Sequence, residues 1–265
     1  MAEFKCLVVS RDRDVAWVTL NRPDLHNAFD SRLIVELTAA FSTLSRDESV
    51  RIIVLRGAGK SFCAGADVNW MRKRLDLSES ENIEDALRMS DMFSTIDQAP
   101  QATICQVHGA ALGGGMGLVA VCDIVVAAED SRFGFTEARL GIIPAVISNF
   151  VVPKIGVSWT RRLFLTAERF DAARAREIGL IHDVSPAGAL EDAVRTVIKD
   201  LRASGPRAVQ EAKLLIAGLV GLSPAERRTF TAQRIASVRT GLEGQEGLRA
   251  FLDKRPPSWA REEES

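Results

Sequence analysis

Short apolar runs alternate with amphipathic stretches over the first part of the chain. Residues 15–20 (VAWVTL) form an apolar, β-rich run, and turn-forming residues follow at 21–24. From residue 31 to 44 the apolar positions recur at helical spacing, directly after Asp30 as a candidate N-cap. Residues 52–55 (IIVL) are a continuous apolar run of strand length. The pattern therefore predicts a strand, a helix and a second strand in this order.

The middle of the chain repeats this alternation. Strands are predicted at 103–107 and 123–127, each beside a glycine-rich or helical stretch, and a helical stretch is predicted at 68–74. Alternating strands and helices favour an α/β core with right-handed crossovers. In such folds functional groups usually lie on the loops that leave the strand ends.

After about residue 190 the strand signals cease. The remaining pattern is helical, with stop and start signals at Gly205-Pro206, Ser223-Pro224 and Gly241. Apolar stripes such as the one from Leu214 to Leu222 are typical of helices that pack on the core or on a neighbouring subunit. We therefore predict an α/β core over residues 1–188 and an all-helical region over 189–265.

Composition and charge exclude several classes of protein. Hydrophobic residues make up 46% of the 265 residues and charged residues 26%, which is typical of a soluble globular protein. The net charge of -1 gives the chain no overall attraction to nucleic acid or to an anionic membrane. An anionic ligand must therefore be bound by local groups.

The cysteines and the N-terminal segment predict a cytoplasmic location. The four cysteines show no CxxC spacing and lie in or beside apolar segments, which favours reduced thiols. The N-terminal segment becomes charged before a signal-peptide core could be completed, and no run approaches the roughly 20 apolar residues of a membrane span.

Two glycine-containing loops carry the chemical content of the sequence. Residues 61–67 follow a predicted buried strand, and residues 109–117 lead from another strand into an apolar helix. Small residues allow a ligand to approach the backbone, and N–H groups at a helix N-terminus favour negative charge. Either loop alone is more typical of a plain turn or close packing. Two N–H donors aimed at one carbonyl oxygen would form an oxyanion hole.

Other site chemistries find little support. The phosphate-binding pattern GxxxxGK[ST] and the dinucleotide pattern GxGxxG with a matched acidic residue are both absent. The three histidines, His26, His108 and His182, lack metal-ligand spacing, and no Ser/His/Asp set can be assembled. We therefore expect no metal and no separate cofactor.

Three sequence blocks resemble a known family. The strings SFCAGADVNWM, HGAALGGGMGLVAVCDIVVA and FGFTEARLGIIP are similar to the central blocks of the crotonase, or enoyl-CoA hydratase/isomerase, family, and the resemblance runs from about Val15 to Phe251. It implies an α/β, crotonase-like ββα spiral core with a C-terminal helical trimerisation region. It also implies an acyl-CoA thioester substrate, of which coenzyme A is a part, and a homotrimer or a hexamer built as a dimer of trimers.

The resemblance assigns candidate site residues. The N–H groups of Ala66 and Gly114 are expected to hold the thioester oxygen, and Glu137 is expected to handle the proton. The coenzyme A moiety is expected to lie along two loops, at Arg22, Ala28, Ala64, Ala66, Asp67, Val68, Asn69 and Gly114. Phe251 and Lys254 match a Phe and a Lys that often meet the adenine and 3′-phosphate end.

One position departs from the family pattern. Well-known hydratases of the family carry two carboxylates, and Gly117 occupies the position of the first. With two carboxylates, one activates water while the other delivers the proton to the α-carbon. The remaining Glu137 is flanked by apolar residues such as Phe135 and Ile142, which should raise its pKa toward a range useful for proton transfer.

A narrower similarity suggests the substrate. The strings LNRPDLHNAFD, IPAVISNFVVPKIG and LTAERFDAARAREIGL look like bacterial methylglutaconyl-CoA and isohexenylglutaconyl-CoA hydratases, which also tend to have Gly at the Gly117 position. The leading hypothesis is hydration of an unsaturated, branched or glutaconyl-type acyl-CoA, as in leucine degradation or fatty acid metabolism, with the water positioned by the substrate's own distal carboxylate or by another protein group. The alternatives are a Δ3,Δ2-enoyl-CoA isomerase and a non-catalytic acyl-CoA binder.

Overall fold

A computed structural model describes residues 4–260, which form nine strands and ten α-helices within that range. The strands are β1 (Leu7–Asp12), β2 (Val15–Leu20), β3 (Ile52–Gly57), β4 (Ala102–Val107), β5 (Ala110–Leu112), β6 (Ile124–Ala128), β7 (Arg132–Gly134), β8 (Arg169–Asp171) and β9 (Asp183–Ser185). The helices are α1 (Ser31–Leu44), α2 (Val68–Arg72), α3 (Glu79–Asp97), α4 (Gly114–Val121), α5 (Ala145–Thr166), α6 (Ala172–Glu177), α7 (Leu190–Ala203), α8 (Pro206–Gly218), α9 (Pro224–Thr240) and α10 (Leu242–Leu252).

The strands form two sheets. The larger sheet has the order β1-β2-β3-β4-β6-β9, and the smaller one has the order β5-β7-β8. Strand β1 is antiparallel to β2, while the pairs β2–β3, β4–β6 and β6–β9 are parallel. Nearly every residue of β2, β3 and β4 is buried, as the continuous apolar runs predict for parallel strands covered on both faces.

The predicted elements are confirmed with small shifts at their ends. Helix α1 begins after Asp30, whose side chain accepts a hydrogen bond of 2.8 Å from the N–H of Leu33. Strand β3 extends two residues beyond the apolar run to Gly57, and helix α2 ends at Arg72 rather than at residue 74. Strand β1 is not predicted, because an edge strand with an exposed second half lacks a continuous apolar run.

The chain divides into two compact units. One runs to Ala99 and resumes over Thr103–Val194, and the other comprises Pro100–Ala102 and the chain from Arg195 onward. The described chain has no strand after Ser185, so the predicted end of the strand signals is confirmed. Among the helices of residues 4–260, none combines the length and the apolar character needed to cross a membrane.

Candidate active site

The first loop presents an N–H group through a short parallel pairing. Phe29 donates its N–H to the oxygen of Gly65 (2.7 Å) and accepts a hydrogen bond from the N–H of Asp67 (2.9 Å). In such a parallel bridge the partner uses the residues on either side of Ala66, so the N–H of Ala66 points away from Phe29. Within the described residues it makes no main-chain hydrogen bond.

The second loop turns sharply before helix α4. Gly113 donates its N–H to the oxygen of Gly134 (2.9 Å) and has φ 49° and ψ -121°, a conformation that requires glycine. Helix α4 begins at the next residue, Gly114. The N–H of Gly114 belongs to the first helical turn, has no intrahelical acceptor, and makes no other main-chain hydrogen bond within the described residues.

The two loops touch through their glycines. A Cβ atom placed on Gly113 would lie 3.7 Å from the Cα of Gly65, and one placed on Gly65 would lie 3.1 Å from the oxygen of Leu112. Ala66 and Gly114 each follow one of these contacting glycines. The structure therefore brings together the two backbone positions that the sequence indicates as donors.

Glu137 lies beside the same glycines. It begins a 3-10 turn (Glu137–Leu140) after strand β7, and its Oε1 lies 3.5 Å from the position of a Cβ on Gly113. Its Oε2 is buried and accepts no hydrogen bond within residues 4–260. Burial raises the pKa of Glu137 above its ordinary value, because desolvating the charged carboxylate outweighs the opposing effect of a hydrogen bond from the Glu137 backbone. The predicted apolar setting is confirmed for Phe135, which is buried, but not for Ile142, which is 53% exposed.

The environment of Gly117 is filled. Gly117 lies three residues after Gly114 and therefore on the same face of helix α4. A Cβ at this position would lie 2.5 Å from Cζ of Phe93 and 2.5 Å from Cγ2 of Ile147. Real Cβ contacts are not this short, so a larger residue at position 117 requires Phe93 or Ile147 to move.

Arg22 joins the loop before helix α1 to the loop before helix α2. Its Nη2 lies 2.8 Å from Oδ2 of Asp67 and 3.0 Å from Oδ2 of Asp30, and its Nη1 donates to the oxygen of Ala28. The N–H of Ala64 donates to the oxygen of His26 in the same region (2.9 Å). Arg22, Ala28 and Asp67 are therefore in direct contact, and the guanidinium is matched by two carboxylates.

Asp67 also starts helix α2. Its Oδ1 accepts hydrogen bonds from the N–H groups of Asn69 (2.8 Å) and Trp70 (3.1 Å). Burial raises the pKa of Asp67, but hydrogen bonds from the Trp70 N–H and from Arg22 outweigh this effect and hold the pKa below its ordinary value. Val68 and Asn69 are exposed in the first turn of the helix. Asp67 is therefore ionised at neutral pH, and its hydrogen bonds hold the loop containing Ala66.

A basic cavity of about 380 Å³ lies next to this loop. Four cationic side chains and two carboxylates line it, namely Arg22, Arg32, Lys73, Arg74, Asp30 and Asp67. Trp70 forms part of its wall, with the guanidinium of Arg74 4.1 Å from the ring centroid. The cavity carries an excess of positive charge despite the neutral balance of the whole chain.

Phe251 and Lys254 belong to the second unit. Phe251 lies on helix α10 with 81% of its surface exposed, and Lys254 follows the helix with φ 54°. The N–H of Lys254 donates to the oxygen of Phe251 (3.2 Å). The two residues therefore lie close together, and their contact with coenzyme A remains a prediction.

Cysteine and histidine side chains have other roles. Cys63 is buried, and its burial raises the thiol pKa to about 12, so the thiol is not a nucleophile at neutral pH. His26 Nδ1 lies 3.0 Å from the hydroxyl of Ser61, and His182 Nδ1 accepts a hydrogen bond from the N–H of Val125 (2.9 Å). Over residues 4–260, no three His, Cys, Asp or Glu side chains are grouped so that they could hold a metal ion.

Sequence reasoning missed Phe93 and Ile147. They lie on helices α3 and α5, far from Gly117 along the chain, and apolar residues at helical spacing read only as core positions. No signal in the sequence links them to Gly117. The contact is visible only once the three helices are placed.

The fold and this site define a class: an α/β protein in which two glycine-containing loops and one half-buried carboxylate meet. The family model described as enoyl-CoA hydratase/isomerase matches residues 10–262. The chain belongs to the enoyl-CoA hydratase/isomerase family.

Individual relatives agree with this assignment. The chain is 34% identical to the 2,3-dehydroadipyl-CoA hydratase of Escherichia coli over 96% of this chain and 98% of that protein. It is 40% identical to an enoyl-CoA hydratase structure from Shewanella pealeana, with a TM-score of 0.93 over 97% of both chains. AtuE of Pseudomonas aeruginosa is 37% identical, with a TM-score of 0.94 over 97% of this chain and 100% of that one. The predicted crotonase-like fold is confirmed.

Proposed function

We propose that the protein is an acyl-CoA lyase that adds water to the α,β double bond of an unsaturated acyl-CoA, branched or glutaconyl-type. One observation carries the proposal. The Glu137 carboxyl group lies beside the touching glycine loops, with Oε1 3.5 Å from a Cβ position on Gly113. A thioester held by these loops would place its α- and β-carbons within reach of a single carboxylate.

The N–H groups of Ala66 and Gly114 would hold the thioester oxygen. When water adds to the β-carbon, negative charge develops on this oxygen as the enolate forms. Backbone donors that are already positioned stabilise this charge without reorganisation, and losing one such donor commonly costs about 10² to 10³ in rate. The free N–H of Gly114 at the start of α4 supports this assignment.

Glu137 would transfer the proton. Its ionised carboxylate accepts a proton from water as the water oxygen bonds to the β-carbon. The protonated carboxyl group then gives that proton to the α-carbon, and the carboxylate is restored. A pKa raised by burial suits both steps, because the group must gain and lose a proton in one cycle.

Local charge supports binding of the coenzyme A portion. The basic cavity beside Arg22 contains the cations Arg32 and Lys73, which would attract phosphate groups. The loop backbone at Ala28, Ala64, Val68 and Asn69 would follow the pantetheine arm. We assign the adenine and 3′-phosphate end to Phe251 and Lys254 of the second unit.

We also infer a homotrimer or a hexamer built from two trimers. Leu242 and Phe251 on helix α10 are 94% and 81% exposed, which supports burial of this helix against another surface. Sedimentation velocity on the purified chain tests this inference. A monomer at micromolar concentration would contradict it.

The decisive experiment compares turnover of crotonyl-CoA and 3-methylglutaconyl-CoA by following loss of the conjugated thioester absorbance. We expect a strong preference for the glutaconyl thioester and loss of turnover in Glu137→Gln. The matched control is Glu129→Gln, which removes an exposed carboxylate close by in the sequence. Equal loss of activity in both variants would contradict a specific role for Glu137.

A second candidate is a Δ3,Δ2-enoyl-CoA isomerase, favoured by the filled space at Gly117, since one carboxylate suffices to move a double bond. Product analysis in deuterated water separates the two. A hydratase forms a 3-hydroxyacyl-CoA from the 2-enoyl thioester, whereas an isomerase interconverts 3-enoyl and 2-enoyl thioesters without adding water. Tight acyl-CoA binding without either product would indicate a non-catalytic binder.

A further inference from the structure

The packing around Gly117 has a consequence for the reaction that rests on the proposed function. We propose that Phe93 and Ile147 are specificity-determining residues that close the α4 side of the site to water and to a second carboxylate, so that Glu137 carries the proton in both halves of the addition.

Three helices meet at this point. Phe93 on α3 and Ile147 on α5 press against Gly117 on α4, each 2.5 Å from a Cβ placed there. Phe93 is fully buried and Ile147 is 3% exposed. Phe93 is held in turn by Phe29, at a ring-centroid distance of 6.2 Å, and by Phe150, at 6.0 Å. The ring therefore cannot turn aside without disturbing a chain of aromatic contacts.

The same contacts exclude a carboxylate. Carbon atoms in favourable contact lie about 3.5 to 4.0 Å apart, so even a methyl group on Gly117 would overlap both neighbours. A glutamate would need space for four more heavy atoms beyond that Cβ. Phe29 also lines this face, since its ring lies 3.1 Å from a Cβ placed on Gly114. The face of α4 that carries Gly114 and Gly117 is therefore covered by aromatic and aliphatic atoms.

Water is excluded for a second reason. A buried water molecule needs about 2 to 4 polar partners, and the side chains of Phe29, Phe93 and Ile147 offer none. The attacking water must therefore approach on the side of Glu137. Its proton passes to Glu137, its oxygen bonds to the β-carbon, and the π electrons move to the thioester oxygen. The proton then returns from Glu137 to the α-carbon, so atoms and charge balance with one carboxylate.

This arrangement predicts a readout that distinguishes a site with one carboxylate from a site with two. Exchange of the α-hydrogen of a saturated acyl-CoA, such as butyryl-CoA, with deuterated water needs only the group that serves the α-carbon. In a site with two carboxylates, loss of one leaves the α-hydrogen exchange or the water activation to the other. Here we expect Glu137→Gln to lower α-hydrogen exchange and hydration together, each by at least 100-fold.

The second part of the test alters the packing. We expect Gly117→Glu to lower the melting temperature and to abolish turnover. Removing the ring in Phe93→Ala/Gly117→Glu should restore the melting temperature at least to that of Phe93→Ala alone. In the Glu137→Gln background the new carboxylate should raise α-hydrogen exchange at least tenfold. Phe41→Ala/Gly117→Glu is the matched control, because Phe41 on helix α1 is equally buried, whereas the three atoms nearest to a Cβ on Gly117 belong to Phe93 and Ile147.

Three outcomes would overturn the proposal. Gly117→Glu could melt and turn over like the wild type, which would mean that the space is not filled. The control with Phe41→Ala could rescue as well as Phe93→Ala, or Glu137→Gln could keep α-hydrogen exchange. A wild-type protein without turnover of any enoyl-CoA would overturn the proposed function instead, and the melting comparison would still decide whether Phe93 closes this position.

Discussion

The backbone groups at the two ends of helix α4 differ in their hydrogen bonding. At its N-terminus the N–H of Gly114 lacks a main-chain partner within the described residues, and the preceding Gly113 has its Cβ position 3.5 Å from Oε1 of Glu137. At its C-terminus the Nζ of Lys154 donates to the oxygens of Val119 (3.3 Å), Ala120 (3.2 Å) and Cys122 (2.8 Å). One end is satisfied by the protein itself, whereas the other has a donor to offer to a ligand.

This difference between the two ends shows that the fold has to stabilise the C-terminus of α4. Burial lowers the pKa of Lys154, yet its ammonium group meets carbonyl groups that would otherwise lack donors. A cation at the C-terminus agrees with the helix dipole, and so would the developing anion of the proposed reaction at the N-terminus. The helix can therefore be almost wholly buried while its N-terminus stays available.

The largest effect should come from Glu137, beside the open end. We expect Glu137→Gln to lower kcat/KM by about 10² to 10⁴, the usual contribution of a general acid or base. The same change should raise the melting temperature at neutral pH, because the raised pKa means that the folded state opposes ionisation of Glu137. Steady-state kinetics and thermal melts check both effects. A less active but also less stable variant would indicate a structural role.

The pH dependence of kcat/KM tests the role of Glu137 independently. Glu137 must be ionised to accept a proton, so kcat/KM should rise with pH through a pKa above that of an ordinary glutamate and then level off. Stability should change in the opposite sense. The part linked to protonated Glu137 is present at low pH and is lost as pH rises through the folded-state pKa. Both the rise of kcat/KM and the loss of stability with pH should disappear in Glu137→Gln.

The next effect should come from the turn that starts the helix. Gly113→Ala introduces a side chain where φ is 49° and ψ is -121°, so the turn must shift and carry the Gly114 N–H with it. We expect kcat to fall by about 10 to 10³, as for loss of an oxyanion donor, with a smaller change in KM. Gly188→Ala is the control, because nothing lies within 4 Å of a Cβ there. An unchanged kcat in Gly113→Ala would contradict the role of the Gly114 N–H as an oxyanion donor.

A change at the C-terminus of α4, where Lys154 binds the carbonyl groups, should lower the stability of the protein rather than its catalytic rate. Lys154→Met removes the donor to three carbonyl groups. Each buried group left unpaired costs up to about 3 kcal/mol. At roughly 2–4 °C per kcal/mol for a chain of this size, we expect a clearly lower melting temperature. The kcat of the folded fraction should stay within a few-fold of wild type. Lys199→Met, on the exposed surface of α7, is the control.

The smallest effect should come from Cys63, whose backbone oxygen lies 2.4 Å from a Cβ placed on Gly115. Its thiol has a pKa of about 12 and is buried, so a thiol reagent should label it only after unfolding. Cys63→Ala should keep kcat within a few-fold. Rapid labelling of the native protein with loss of turnover would contradict this expectation and would indicate a reactive thiol near the N-terminus of α4.

Much of the fold follows from the sequence, because long apolar runs and cap residues are local signals. Strand β2, helix α1 with Asp30 and the glycine loops are readable in this way. The three-residue strands β5, β7 and β8 are not, since pairing across the smaller sheet rather than local pattern creates them. The site divides similarly: Glu137 is found from its block, whereas the contact of Phe93 with Gly117 depends on helices distant in sequence.

The link made by Arg22 constrains how this protein can change. Asp30 and Asp67 are the N-caps of α1 and α2, and the guanidinium of Arg22 bridges them. Arg22 and Asp67 are 45 positions apart in the sequence. Asp67 in turn follows Ala66 directly. Under the proposed function, a substitution that changes the cavity at Arg22 would therefore also shift the donor assigned to Ala66. Affinity for the distant end of the ligand and rate at the reacting end would then not evolve separately.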